Sequence, residues 1–315
     1  MTAAAPQHPL DPTIRPITGP DEVELFNQLP YPFNHEIADD LRTGRRRPEW
    51  LWVALHEGRT VARAGWWCRS GDEQPFLFDI LDCAEGHGVT GRQLLRTALA
   101  AVVTKDAKPP QYVRLVPGDW REDPAARPGI DTLIALVEGE GARPFVERLR
   151  FQWTPGTPLA TPDPRLTLRA VADREELVGL MTEVLDGTLD AHSHRDLQTM
   201  TPRRAAEEQY RDELEKYATP RDWWRVAVLP DGEPVGFVIA AKNSYHAIIA
   251  YIGVRPAHRG HGYIDALLAE GTRILAGAGV PRIRATTDLG NTPMAAAFSR
   301  AGYANFQREI HFDWS

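Results

Sequence analysis

A chain of 315 residues is long enough for about two ordinary domains, and 43% hydrophobic with 25% charged residues is typical of a globular protein. The formal net charge of −7 argues against a general binder of nucleic acid or anionic membranes. The 2 cysteines lack CxxC spacing, and we find neither a signal-peptide pattern nor a run of about 18 apolar residues. These features predict a cytoplasmic protein without nucleic-acid or membrane partners.

The first half of the chain begins with a short strand and an amphipathic helix over residues 13–26. A hairpin of two apolar strands follows at 50–67, and a glycine run at 86–91 precedes a helical pattern. Apolar residues alternate with period 2 over residues 141–153, which predicts a closing strand. Residues 154–165 are rich in proline and have no periodicity, as in a semi-rigid linker.

The second half repeats this order, with a strand and helix over 167–180 and a hairpin over 223–240. The two closing segments agree at one constant spacing, for example at Gly141 and Gly302. Agreement at several separate blocks predicts two structural copies rather than one large domain. The expected boundaries are a first domain at 1–153, a proline-rich linker at 154–165 and a second domain at 166–315.

The most informative segment is VRPAHRGHGYIDALLAEG, which follows a run of β-branched and aromatic residues typical of a buried strand. Apolar residues recur with helical spacing from Ile264 onward, so Arg259 to Tyr263 form a turn between a strand and a helix. A helix start presents unpaired N–H groups, and Gly260 and Gly262 let an anion approach the main chain. The turn is therefore predicted to bind phosphate, with a tight turn that holds no ligand as the alternative.

Two other phosphate-binding patterns are set aside. The chain has no GxxxxGK[ST] sequence, which excludes a P-loop. A literal GxGxxG occurs from Gly86 to Gly91, but the repeat aligns Leu94 with Leu267, so this run is the first copy's version of the later turn and not an independent dinucleotide site. Because Gly86 replaces the arginine of the second copy, the first copy is expected to be mainly structural.

The stretch from Arg259 to Ile264 resembles the Q/R-x-x-G-x-G/A motif of the GNAT superfamily of N-acetyltransferases. The preceding strand with its Val-x-Pro end, the later Asn-Thr-Pro-Met at 291–294 and the segment FSRAGY at 298–303 resemble the family's succeeding segments in the right order. The resemblance covers the second copy and, by repetition, a diverged first copy. It implies an α/β protein of two tandem domains, each with a mostly antiparallel mixed sheet flanked by helices.

The resemblance implies an acetyl-CoA-dependent N-acetyltransferase that acts on a primary amine of a small molecule by direct attack on the thioester. Backbone amides of the motif would hold the pyrophosphate, and a splayed strand, in which Gly253 suits a bulge, would donate N–H groups to the thioester. Phe298 stands where many members have the tyrosine that protonates the departing thiolate, so that role is unfilled. The predicted cofactor-binding residues are Ile252, Gly253, Val254, Arg259, Gly260, His261, Gly262, Tyr263, Ile264, Asn291, Phe298 and Arg300.

An alkylammonium must lose a proton before it attacks, so the reaction needs a base. The candidate bases are His246, Asp190 and His192. The expected acceptor contacts are His194, Asp288, Tyr31 and His35, the last two contributed by the first copy. The pair His192-x-His194 lacks two further ligands, so no metal is predicted. Each of these residues also has a structural alternative, such as a packed edge residue, a solvated loop or a helix cap.

A second function remains open on the sequence alone. A non-catalytic tandem module that binds acyl-CoA or a metabolite as a sensor is favoured by Phe298 and by the degenerate first copy. Thiol release in the presence of amines would separate this function from catalysis. We expect a monomer or a homodimer in either case.

Overall fold

The computed structural model describes residues 12–69, 71–104 and 107–314, so residues 1–11 of the expected first domain lie outside the described part. The chain divides into two compact units, Met1–Val146 with Glu309–Ser315, and Glu147–Arg308. These boundaries differ from the expected ones because residues of both closing strands belong to the unit formed mainly by the other half. Residues 154–165, the expected linker, contain no helix or strand.

The elements of the first half follow the expected order. They are β1 (Thr13–Pro16), α1 (Val23–Phe26), α2 (Ile37–Arg42), β2 (Leu51–His56), β3 (Arg59–Trp67), β4 (Leu77–Cys83), α3 (Gly88–Val102), β5 (Tyr112–Pro117), α4 (Arg127–Gly139) and β6 (Ala142–Trp153). In the first unit the strand order is β1-β2-β3-β4-β5, and β5 is followed by the strand that contains residues 309–314. Only β4 and β5 are parallel among the pairs from β1 to β5.

The second half repeats the pattern with longer helices at its start. Its elements are β7 (Thr167–Ala170), α5 (Arg174–Val184), α6 (Ala191–Asp196), α7 (Pro202–Asp212), β8 (Trp224–Val228), β9 (Pro234–Lys242), β10 (Ala247–Val254), α8 (Tyr263–Gly277), β11 (Ile283–Asp288), α9 (Thr292–Arg300) and β12 (Ala304–Trp314). In the second unit the strand order is β6-β11-β10-β9-β8-β7. Only β10 and β11 are parallel among these neighbours, as expected for a mostly antiparallel mixed sheet.

Helices cover both faces of the sheet in the second unit. Helix α8 buries Leu267, Leu268 and Leu275 against one face, in a cluster that includes residues of β9, β10, β11 and α9. A Cβ added at Gly271 would lie 2.7 Å from Val238, so this glycine permits close packing of α8 on β9. On the other face α5 and α7 form a separate apolar cluster with β8 and β9. The two clusters pack against β10 from its two faces.

No helix among the described residues is long and apolar enough to cross a bilayer.

Candidate active site

The central feature of the second unit is a separation between its two parallel strands. Strands β10 and β11 pair at Ala247 with Ile283 and at Ile248 with Arg284, and no further pair joins them in the described chain. Each strand continues on its other side, β10 with β9 as far as Val254 and β11 with β6 as far as Asp288. The strands therefore diverge toward their carboxyl ends and leave one edge of β10 exposed to the gap.

The exposed edge of β10 presents backbone N–H groups. The N–H of Arg255 donates to the carbonyl of Val235 on β9 at 2.9 Å. Because N–H directions alternate along a strand, the N–H groups of Ile252 and Val254 face away from β9 and toward the gap. The irregularity that interrupts the β9 pairing lies between Ile249 and Tyr251, so the bulge is not at Gly253 as expected from sequence.

The predicted phosphate-binding turn forms where expected. Gly260 and Gly262 have φ of +82° and +81°, and Gly262 is the N-cap of α8. A Cβ at either position would meet no atom within 4 Å, so the glycines are required by backbone conformation and the space above them is open. A helix start with open space above its N–H groups fits a phosphate group.

Arg259 does not extend from this turn as a free cation. Its guanidinium donates to the carbonyls of Val254 at 3.2 Å, Val184 at 3.0 Å and Gly187 at 3.5 Å. Val184 is the last residue of α5, where the negative end of the helix dipole favours a cation. Arg259 thus ties the end of α5 and the loop after it to the turn, a structural role that the sequence did not predict.

The remaining residues of the turn make an exposed layer beside it. The rings of His261 and Tyr263 stack at 5.6 Å, and the guanidinium of Arg165 lies 4.9 Å from the Tyr263 ring. Arg165 also donates to the His261 carbonyl at 3.2 Å. Ile264 packs against the apolar cluster under α8. The turn is therefore supported from one side by aromatic and aliphatic contacts.

The three predicted residues on α9 all have structural partners. The Asn291 side chain accepts from the Met294 N–H at 3.2 Å as the helix N-cap, and Arg300 pairs with Asp265 on α8 at 2.8 Å. Phe298 is 2% exposed and stacks on Phe151 at 5.0 Å. The predicted cofactor contact at Phe298 is thus contradicted by its placement, because α9 turns this side chain into the core.

Carboxylates stand across the gap from the β10 edge. The register at Ile248 and Arg284, continued past the bulge, places Asp288 about level with Gly253. Asp288 is buried and accepts from the N–H of Ala191 at 2.6 Å. The Nε of Arg148 lies 2.8 Å from its second oxygen and forms an ion pair with it.

Asp288 and Asp190 differ in protonation behaviour. Burial raises the pKa of Asp288, although Arg148 opposes this shift. Burial also acts to raise the pKa of Asp190, but the Arg148 guanidinium, 3.5 Å away, and the N–H of Ser193 hold that pKa below its ordinary value. Asp190 is the N-cap of α6, with Ser193 N at 2.8 Å. Its carboxylate is therefore better suited to holding charge than to accepting a proton.

The histidines predicted for this region lie in different places. His192 is half-buried in the first turn of α6 and is close enough to Asp190 to lower that residue's pKa, whereas His194 is exposed. His246 precedes β10 at the strand end opposite the gap, about 20 Å along the strand from Ile252. That distance contradicts a direct role for His246 as the base.

Tyr31 and His35 belong to the first unit. Tyr31 is buried, accepts a hydrogen bond from the Leu115 N–H at 3.0 Å and lies under the Arg114 guanidinium at 3.9 Å. Burial raises the pKa of Tyr31 to about 12. Its hydroxyl is thus used inside the first unit, which contradicts the expected acceptor contact, while the side chain of His35 is 76% exposed beside Glu36.

Tyr251 is a candidate that the sequence did not single out. It lies directly after the bulge, on the face of β10 that packs against α5 and α7, 5.1 Å from the Phe237 ring. Burial raises the pKa of Tyr251, and the carboxylates of Asp190 and Glu213 add to the shift. Its phenol therefore lies near Asp190. A bulge turns Tyr251 toward this face, and the alternation of apolar residues in the sequence does not reveal that bulge.

The corresponding strands of the first unit are bridged by buried ions. Arg114 on β5 lies 2.9 Å from Asp82 and donates to the Leu81 carbonyl of β4 at 3.1 Å. Arg63 also pairs with Asp82, at 2.8 Å. A guanidinium thus joins β4 to β5 where the second unit has its gap. Among the described residues, no group of three or more His, Cys, Asp or Glu is arranged to hold a metal ion.

Comparison with known proteins finds a family match within the second half of the chain. A family model described as Acetyltransferase (GNAT) family matches residues 191–303. The mycothiol acetyltransferase of Streptomyces bingchenggensis is 31% identical over 83 residues, which are 26% of this chain and 27% of that protein. The match therefore spans about a quarter of that relative's length.

Solved structures resemble the chain over both halves. A GCN5-related N-acetyltransferase from Sphaerobacter thermophilus has a TM-score of 0.62 at 17% identity, with 96% of this chain and 95% of that chain covered. A tandem GNAT protein from the clavulanic acid biosynthesis pathway has a TM-score of 0.55 at 16% identity, with 97% and 99% covered. At these identities the likeness concerns the fold, and it confirms the expected fold class. Residues 191–303 therefore match the model of the GNAT acetyltransferase family, within a chain whose fold is similar to that of a tandem GNAT protein.

Proposed function

We propose that this chain is an acetyl-CoA-dependent N-acetyltransferase that transfers an acetyl group to a primary amine of a small molecule. The observation that carries the proposal is the gap between β10 and β11, which ends at the glycine turn and faces Asp288. One side of the gap offers N–H groups and the other offers carboxylates. This polarity suits a thioester on one side and an ammonium on the other.

The donor would be held by the main chain. The N–H groups at the start of α8 suit the pyrophosphate, while Ile252 and Val254 would donate to the carbonyl or pantetheine groups along β10. Because the N–H groups are fixed by the sheet, they would stabilise the negative charge that develops on the thioester oxygen without reorganisation. Arg259 would contribute by holding the turn in place.

We assign the base to His192. His192 lies in the first turn of α6, close to Asp190, and an imidazole is the side chain best suited to accept a proton near neutral pH. The ammonium proton would pass to the imidazole, and the neutral amine nitrogen would bond to the carbonyl carbon. As the carbon–sulfur bond breaks, the nitrogen would lose its second proton to water and become the amide. The leaving thiolate would take its proton from water or from Tyr251, since Phe298 carries no hydroxyl.

The remaining assignments belong to the same proposal. The first unit would be structural, because Arg114 bridges its two central strands. We further propose a cytoplasmic monomer or homodimer that acts on a small molecule and not on nucleic acid or membranes.

The test combines donor binding with turnover. Calorimetric titration with acetyl-CoA should give one site per chain, and thiol release should depend on an added amine. The variant His192→Asn should lower kcat at least about a hundredfold, a usual loss for a general base, with the acetyl-CoA affinity retained. His194→Asn is the matched control, since His194 is an exposed neighbour on the same helix. Equal kcat in the two variants would refute the assignment of His192, and absent binding would refute the proposal.

A non-catalytic acyl-CoA-binding module is the second candidate function. It is favoured by Phe298, because a buried phenylalanine cannot replace a proton donor on α9. Acetyl-CoA binding at one site without thiol release over a broad set of amines would favour this function over catalysis. The variant Phe298→Tyr would not restore a proton donor, since the ring at this position stacks on Phe151.

A further inference from the structure

One face of β6 and β11 in the second unit carries the ion pair of Arg148 and Asp288 at one end and Arg284 at the other. The register places Arg148 opposite Asp288, Arg150 opposite Thr286 and Gln152 opposite Arg284. The alternate residues of both strands, such as Phe151 and Ala285, lie in the apolar cluster under α8. Because side chains alternate between faces, the polar row lies on the opposite face of the sheet, the face against which α5 and α7 pack in this unit.

Arg284 is an uncompensated cation on this face. Its guanidinium stacks 3.9 Å from the Phe306 ring, and its buried Nε has no hydrogen-bond partner. No carboxylate of the described residues forms an ion pair with it. Burial lowers the pKa of Arg284 to about 10, and the neighbouring cations Arg150 and Arg282 act in the same direction.

A second guanidinium approaches the same ring. Arg150 lies 5.4 Å from the Phe306 centroid and donates to the neutral side-chain amide of Gln307 at 2.6 Å. Arg284 itself is partly buried, and burying a charge without a paired counter-ion is unfavourable. Many other arginines of the chain pair with a carboxylate, as Arg308 does with Glu147 at 2.8 Å. An external anion would complete the arrangement at Arg284, where the fork of N–H donors suits a carboxylate or phosphate.

The cationic end lies within reach of the proposed reaction site. Arg284 and Asp288 are four residues apart on one strand face, a distance of about 13 Å between their backbones, and Arg150 is about 7 Å from Arg148 along β6. The long arginine side chains can shorten these spans. One small molecule could therefore place its amine near Asp190 and Asp288 and a negative group near Arg284.

We infer that the acceptor is an amine that also carries an anionic group, a carboxylate or a phosphate, and that Arg284 binds this group. The inference rests on the proposed function, because it names the class of acceptor for that reaction. The anionic group takes no part in the acetyl transfer, and its only role is to position the amine. Arg284 is thus a specificity-determining residue.

The first experiment compares matched acceptors. Thiol release from acetyl-CoA is measured with 4-aminobutanoate against butylamine, 6-aminohexanoate against hexylamine, and O-phosphoethanolamine against ethanolamine. At least one anionic member should exceed its neutral partner in kcat/KM by about tenfold or more, as expected for a charge-assisted contact. The better of the carboxylate and phosphate arms identifies the anion. The ratio should fall toward one in Arg284→Gln and persist in Arg204→Gln, an exposed arginine of α7.

The second experiment needs no turnover. The Arg Nε–H resonances of the full chain are recorded by NMR, with the Arg284 signal assigned through Arg284→Gln, during titration with 6-aminohexanoate and then with hexylamine. The Arg284 signal should move only with the carboxylate. Thiol release without preference for anionic amines, together with an unmoved Arg284 signal, would overturn the inference while leaving the transferase function intact. A moving signal without any thiol release would support the anion site and count against the transferase function.

Discussion

Replacement of Gly262 by glutamate tests the predicted phosphate site most directly. Gly262 has φ of +81°, a conformation that costs an ordinary residue about 1–2 kcal/mol, so the chain should remain folded. Two phosphate charges about 5 Å from the new carboxylate, at an effective dielectric constant of about 40, would be repelled by about 3 kcal/mol. The dissociation constant for acetyl-CoA should therefore rise roughly a hundredfold or more.

Two control variants separate charge from backbone strain. Gly262→Asn puts a neutral residue that tolerates positive φ at the same position, and Gly279→Glu puts the same charge at a glycine of φ +70° beyond the other end of α8. Calorimetry should show nearly unchanged acetyl-CoA affinity for Gly279→Glu and a smaller loss for Gly262→Asn than for Gly262→Glu, while thermal unfolding should show comparable losses for the two glutamate variants. Unchanged affinity in Gly262→Glu would mean that the glycine turn is a turn and nothing more.

Three further predictions concern stability. Gly236→Ala should reduce acetyl-CoA affinity and lower the free energy of unfolding by about 1–3 kcal/mol, because the alanine Cβ would lie 2.3 Å from a backbone oxygen of β10. A free energy of unfolding equal to that of the wild-type chain would refute this prediction. Arg46→Met should cost about 3–5 kcal/mol in denaturant unfolding by leaving its carboxylate partners Asp40 and Asp79 buried, whereas the exposed Arg42→Met should cost under about 1 kcal/mol. Burial raises the pKa of Glu36 to about 7, so as the pH rises the unfolded chain loses this proton before the folded chain does. The free energy of unfolding should therefore fall between about pH 4.5 and pH 7. Glu36→Gln should flatten that part of the pH profile, and an unaltered profile would contradict the shift.

The glycine turn and the repeated order of elements could be predicted from the sequence, because both depend on residues that are close together in the chain. The glycines at 260 and 262 lie in a turn between strand and helix, as the sequence predicted, and α8 starts one residue after Gly262. The hairpins and the closing strands could be predicted because period-2 alternation of apolar residues is typical of a half-buried strand. The family match over residues 191–303 confirms the resemblance found from the motif.

The partners of individual side chains could not be predicted in the same way. Arg259 carries the motif's positive charge, yet its guanidinium binds carbonyls near the end of α5, a contact between residues more than seventy positions apart. Tyr251 faces Asp190 because of a bulge, and alternation alone would not have placed it there. In the first unit, Arg63 and Arg114 lie on different strands, and both form an ion pair with Asp82. Such contacts depend on register and packing, which residue types alone do not encode.

The division of the closing strands has a consequence for how the protein is made. The first unit includes Glu309–Ser315, so the sheet beside β5 is completed only by residues translated after the whole second unit. During synthesis the first unit must wait with an open strand edge, whereas the second unit, Glu147–Arg308, is continuous in sequence and can close as soon as it leaves the ribosome. The first unit would thus keep this strand edge exposed throughout the synthesis of the second unit, and that interval would be its aggregation-sensitive step.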